Sequence, residues 1–301
     1  MWDGILYFLF FLCLGYFLFR GKLLPENSPG FLSTLLMTVC FPAMILSSFQ
    51  ATDLEDLLTT GLPTVVVTVV FSTLPAVILR IGKKKLPHHN LFSFICGIGN
   101  VSFVCIPLLS LFLTEEQMLP VYLHVAVQDL LIWGIFHPVF AGKEKGQQWR
   151  ALLKEPCLLA AVSGLLLTLF GLSLPQWLQK PIDALHSCVS PLALLFLGMT
   201  IAQRGLSSGL RERRALCYTV YKVLLYPLVV SLCLLPFFPA DWSLLMAVLF
   251  ASPAPVAGVV WMQRYTDDPS PAVNCLIPST LLYFGLYLPM ILLLCQQGLW
   301  G

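Results

Sequence analysis

The sequence predicts an all-α membrane protein of ten transmembrane helices, arranged as an inverted five-plus-five repeat in which helices four and nine are broken and cross. Three observations predict it. The 301-residue chain is 58% apolar and 11% charged, and its apolar residues gather into runs near the ~20 residues needed to cross the hydrocarbon core. Its basic residues collect in alternate loops. Its fourth and ninth runs are interrupted by glycine and proline in matching places.

The ten segments are read at Trp2 to Phe19, Phe31 to Phe49, Gly61 to Ile81, Leu91 to Leu113, Met118 to Ala141, Cys157 to Leu172, Pro181 to Ala202, Leu216 to Phe238, Trp242 to Met262 and Pro271 to Cys295. Segment one has no basic residue ahead of it and is followed by Arg20 and Lys22, so it reads as an anchor with an outside N-terminus and not as a cleavable signal. Arg80 with Lys83 to Lys85 follow segment three, Lys143 to Lys154 follow segment five, Arg204 to Arg214 follow segment seven, and Arg264 follows segment nine. Of the 17 basic residues only Lys180 and Lys222 fall elsewhere. The positive-inside rule then makes the odd loops cytoplasmic and both termini extracytoplasmic.

The formal charge of +2 therefore reports orientation in a lipid bilayer, and the scattered basic loops give no footprint for nucleic acid. Ten cysteines lie in or beside apolar runs without a CxxC pair, and His124, His137 and His186 are unclustered, so no metal site is expected. No GxxxxGK[ST] phosphate loop occurs and no cofactor is implied. Asn100-Val101-Ser102 spells a glycosylation sequon inside a span, beyond a transferase's reach.

Segment four holds Gly97-Ile98-Gly99-Asn100-Val101-Ser102-Phe103-Val104-Cys105-Ile106-Pro107. Pro107 cannot donate its backbone hydrogen bond and crowds the carbonyl four residues earlier, while the glycines loosen the turns before it. A break follows, and backbone exposed at membrane depth must be buried in protein or face a cavity. Laid against itself with an offset near 150, the chain aligns Leu24-Pro25 with Leu174-Pro175, Phe41-Pro42-Ala43 with Ser190-Pro191-Leu192, and Thr114-Glu115-Glu116 with Thr266-Asp267-Asp268. Each half carries five segments, an odd number, so residues 1–150 and 151–301 would insert as upside-down copies within one membrane domain. Segment nine is then the partner of segment four, and it reads Ala251-Ser252-Pro253-Ala254-Pro255-Val256-Ala257-Gly258. Paired interruptions of this kind point to a binding site near the bilayer midplane.

Half-helix N-termini at such a crossing present unpaired N–H groups and the positive end of the dipole, which suit a carboxylate. The candidate substrate-binding residues are Gly99, Asn100, Ser102 and Pro107, Ser252, Pro253 and Pro255, with Gln128 from segment five. For Asn100 and Ser102 the competing role is to satisfy backbone freed by the break. Asp129 is the one carboxylate deep within a span, and such residues mark ion or proton pathways. It is the candidate coupling or gating group, against a purely structural carboxylate. Lys222 is the matching cation: it pairs with Asp129, attracts the substrate, or snorkels to the surface.

Gly15-Tyr16, Leu24-Pro25, Phe41-Pro42-Ala43, Gly99-Asn100 through Ile106-Pro107, Pro191-Leu192-Ala193-Leu194, and Ser252-Pro253 with Arg264-Tyr265 resemble the auxin efflux carrier family across essentially the whole chain. That family includes bacterial organic-anion carriers and the plant PIN-formed exporters. The resemblance implies a fold similar to that of bile-acid sodium symporters, in which segments one, two, six and seven form a scaffold and three to five with eight to ten move. It also implies a homodimer through the scaffold and, by the bacterial carriers, the inner membrane. Two positions depart from the pattern: Ala257 replaces an asparagine in segment nine, and Asp129 stands where relatives carry asparagine.

The function expected is secondary transport of a small organic anion by alternating access, coupled to protons in preference to sodium because a single intramembrane carboxylate is present. The alternative is a sensor or receptor that keeps the carrier fold without net flux; its loops are too short for a fused signalling domain. An intramembrane enzyme would need a second catalytic group near Asp129, and none is evident.

Overall fold

Proline and glycine set where the helices of this chain bend. The computed structural model describes residues 2–50, 55, 57–81, 88–114, 116–136, 156–205, 209–266, 268 and 270–296, and among them every regular element is helical. Among the described residues six helices are long and apolar enough to cross a membrane: Ser28–Ser47, Leu57–Ile81, Leu119–Phe136, Gln176–Gln203, Arg213–Leu234 and Ser270–Gln296. Segment one forms Trp2–Arg20 and segment six the shorter Pro156–Leu169. Segments four and nine are each divided, into His89–Ile95 and the turn Val101–Cys105 with Ile106–Leu109, and into Ala240–Phe250 and Val256–Thr266. Segment seven starts earlier than expected, because Pro175 leads into the helix Gln176–Ser187 before a turn at Cys188 and the helix Val189–Arg204.

Among the described residues five π-helical turns occur, at Leu36–Cys40, Leu57–Gly61, Val101–Cys105, Ile132–Phe136 and Tyr221–Leu225. Each ends two residues before a proline: Pro42, Pro63, Pro107, Pro138 and Pro227. The ring removes one donor and crowds the carbonyl a turn earlier, and widening the turn lets the displaced carbonyls find a donor one residue further on. Phe41 N–H accordingly donates to Leu36 O and Tyr226 N–H to Tyr221 O. No such turn stands just ahead of Pro75, Pro278 or Pro289, which lie inside α-helices.

Two compact units divide the chain, Met1–Val66 with Ser102–Leu130 and Gly146–Gln203, and Val67–Val101 with Leu131–Lys145 and Arg204–Gly301. The first holds segments one, two, six and seven, the second holds eight to ten, and segments three, four and five contribute to both. The resemblance implies the first two groupings but not the shared segments.

In the first unit, segments one and seven touch backbone to backbone. A Cβ at Gly15 would overlap the Leu195 carbonyl, and one at Gly198 the Leu12 carbonyl, so the glycines face each other's helices reciprocally. Small residues are what lets helices approach in lipid, where burial of apolar surface gives little drive. Segments two and six pack equally closely: Gly164 abuts the Phe49 ring, Thr168 Oγ1 donates to Phe49 O (2.9 Å), and Leu174 N–H donates to Gln50 Oε1 (2.7 Å). Phe103 lies between Phe41 and Phe196, with ring centroids 5.3 and 4.5 Å away.

In the second unit, Phe94 stacks on Trp261 at 4.5 Å and Phe71 meets Phe250 at 5.8 Å. Before segment ten, Ser270 N–H donates to Asp268 Oδ1 (3.0 Å), and hydrogen bonds from the Ser270 hydroxyl and backbone hold the Asp268 carboxyl below the ordinary carboxylate range. Phe10, Phe17, Val66, Val70, Ile78 and Leu232 among others are exposed, a surface suited to lipid.

Candidate functional site

The interruption of segment four is a turn at 96–97 followed by irregular backbone at 98–100, and that of segment nine is a turn at 251 followed by irregular backbone at 252–255. Both lie in the second unit, and they meet. Asn100 N–H donates to Pro253 O at 2.8 Å. The approach depends on glycine: a Cβ at Gly99 would overlap the Ser252 hydroxyl, and one at Gly97 would overlap the Ser72 carbonyl of segment three. Segment ten supplies a cap, since Ala254 N–H donates to Ser279 Oγ (3.1 Å) while that hydroxyl donates to Cys275 O (2.6 Å). Gly258 rests against Ile95 and Leu91, so the start of Val256–Thr266 packs beside the first half of segment four.

Backbone at the meeting point is thus partly repaired, but several side chains are not. Asn100 Nδ2, Ser252 Oγ and Ser72 Oγ are buried and have no hydrogen-bond partner among the described residues. Leaving such a group unpaired costs ~1–3 kcal/mol. The Asn100 backbone N–H answers the Pro253 carbonyl, while its side-chain Nδ2 makes no hydrogen bond among the described residues. Pro253 and Pro255 are buried, and the first turn of Val256–Thr266 begins directly after Pro255, where helix N–H groups lack an intrahelical partner.

Lys222 belongs to the same unit. It sits in the π-turn Tyr221–Leu225, is 0% exposed, and places Nζ 5.8 Å from the Tyr226 ring centroid. Complete burial argues against snorkelling. Tyrosine hydroxyls anchor its helix: Tyr218 donates to Ile95 O (3.1 Å), Tyr287 to Val223 O (2.8 Å), and Tyr226 to Phe71 O. The first of these ties segment eight to the residue just ahead of the segment-four break. Thr219 Oγ1, beside Tyr218, is also buried and has no hydrogen-bond partner among the described residues.

The remaining candidates belong to the first unit. Ser102 is half-buried in the turn Val101–Cys105, and Pro107 is buried at the start of Ile106–Leu109. Gln128 and Asp129 are buried on Leu119–Leu131, one turn from the buried His124. Gln128 Nε2 has no hydrogen-bond partner among the described residues.

Gly99, Asn100, Ser252, Pro253 and Pro255 are therefore brought together, with Lys222 in the same unit, while Ser102, Pro107, Gln128 and Asp129 are placed in the other. Sequence reasoning missed Gly97, Ser72, Thr219 and Ser279. Ser279 had a signal in the preceding Pro278, and Gly97 sits in the quoted motif; Ser72 and Thr219 are single hydroxyls in apolar runs and stood out in no pattern.

The sequence profile of the family described as "Membrane transport protein" matches residues 4–149 and 145–291. A protein of Rhizobium meliloti (strain 1021) named "Putative malonate transporter" is 25% identical over 236 residues, covering 73% of this chain and 72% of the relative. With the two matched stretches spanning nearly all of its length, the chain belongs to this membrane transport family, the auxin efflux carriers.

Proposed function

We propose that the chain is a proton-coupled secondary transporter of small carboxylates, working by alternating access around a crossing of segments four and nine. One observation carries the reading: the two interruptions meet at the Asn100 N–H to Pro253 O hydrogen bond, beside the unpaired Asn100 amide and Ser252 hydroxyl. An amide N–H₂, a hydroxyl and a helix N-terminus all offer hydrogen to an acceptor-rich guest, and a carboxylate satisfies them together. Lys222, buried in the same unit, adds positive charge of the right sign. Malonate, named for the Rhizobium relative, is the first substrate to try.

The ten-span inverted repeat, residues 1–150 and 151–301, supplies the moving parts, and a family profile that matches the chain twice, at 4–149 and 145–291, supports this reading. Asp129 is the proton carrier in this scheme, in a bacterial inner membrane with both termini extracytoplasmic. Ser102, Pro107 and Gln128 are kept as candidate substrate-binding residues within the first unit.

The test is uptake of radiolabelled malonate into proteoliposomes with an imposed pH gradient. Accumulation that collapses with a protonophore supports the reading. Saturable binding without flux would identify a receptor instead, and flux that follows a sodium gradient at constant pH would replace the coupling ion.

A further inference from the structure

The first unit contains a polar cavity of about 460 Å³, whose wall includes none of the residues of the segment-four and segment-nine interruptions. Its chemistry is opposite in sign to theirs. Asp183 of Gln176–Ser187 is on the wall, its Oδ1 accepting from Ser47 Oγ of segment two (2.9 Å) and from Gln179 Nε2 (2.7 Å). Ser110 and Ser190 hydroxyls, 2.8 Å apart, join the end of segment four to segment seven on the same wall. Tyr7 and Tyr122 contribute aromatic surface, and His186 is the other titratable side chain besides them and Asp183. Among the described residues no Lys or Arg lines the cavity; Lys180, one turn before Asp183 and exposed as Asp183 is, does not belong to the wall.

We propose that this cavity binds a small organic ammonium ion. Ser47 and Gln179 are neutral donors, so they fix the position of the carboxylate without cancelling its charge. Both of their bonds go to Oδ1, so neither of them engages Oδ2. An alkylammonium places N–H groups on Oδ2 and the serine hydroxyls, and its carbon part and diffuse charge against the tyrosine rings. An inorganic cation of the same charge gains nothing from the half of the wall that is apolar, formed by Met44, Ile106 and Val189. Gly99, Asn100, Ser252, Pro253 and Pro255 are not on its wall, so this ligand site is distinct from the one proposed above.

The experiment is calorimetric titration of the purified protein in lipid nanodiscs, with ethylammonium chloride and separately with sodium chloride over a fixed background of potassium chloride. Ethylammonium is expected to give a saturable signal that weakens on the order of tenfold or more in Asp183→Asn. Asparagine keeps an oxygen for Ser47, and an unchanged thermal midpoint shows that the fold persists. Asp183→Glu restores part of the affinity. The proposal is overturned if ethylammonium gives no saturable signal, if Asp183→Asn binds it as the wild type does, or if sodium binds with equal affinity and displaces it.

Discussion

Asn100 shows how one residue serves a broken helix at two levels. Its backbone N–H repairs a carbonyl of the other interrupted segment, Pro253 O at 2.8 Å, and its buried amide is left over. Asn100→Ala keeps the repair and removes the surplus donor, so malonate affinity should fall by about 1–3 kcal/mol with little change in thermal midpoint. Titration calorimetry beside a melt measures both; unaltered affinity would leave Asn100 with its backbone role alone. Gly99 is the steric counterpart. A Cβ there collides with Ser252, so Gly99→Ala should destabilise by roughly 1–3 kcal/mol as overpacking does. Most of that loss should return in Gly99→Ala/Ser252→Gly, which removes the atoms struck, and detergent melts of the four variants of the cycle read the coupling.

Among the elements, proline decides where helices bend and glycine decides where they touch. All five π-turns stand just ahead of a proline, yet Pro75, Pro278 and Pro289 produce none. The signal is therefore in the sequence, but whether a turn widens depends on what packs against it. Segments one and seven illustrate contact. Each lends a glycine to the other's backbone, Gly15 to Leu195 and Gly198 to Leu12. Gly198→Leu should separate the two helices and lower the thermal midpoint sharply, whereas Gly134→Leu, where a Cβ meets nothing within 4 Å, should leave it near the wild type. Equal midpoints for the two variants would remove the contact from the account of stability.

At the scale of the whole molecule, the question is what couples flux to a gradient. Asp129 and Lys222 are the buried opposite charges, 7% and 0% exposed, one in each compact unit. Two such groups in low dielectric are costly unless compensated, which makes them suited to a cycle that protonates one of them. Asp129→Asn should leave malonate binding measurable and abolish the dependence of uptake on an imposed pH gradient. A gradient response equal to that of the wild type would take the coupling role from Asp129.

The sequence by itself determined that the chain is helical, that it belongs in a membrane, and that segments four and nine are interrupted. Those properties are local: apolarity accumulates along a run, and proline or glycine disturbs only the turn it occupies. Only the tertiary structure decided that Asn100 answers Pro253, that Ser279 caps Ala254, that Ser72 and Thr219 are buried hydroxyls with no hydrogen-bond partner among the described residues, and that segments three to five are shared between two units. A freed backbone group takes whichever donor folding brings within 3 Å, and here that donor lies across some 150 residues of chain, where no spacing in the sequence records it.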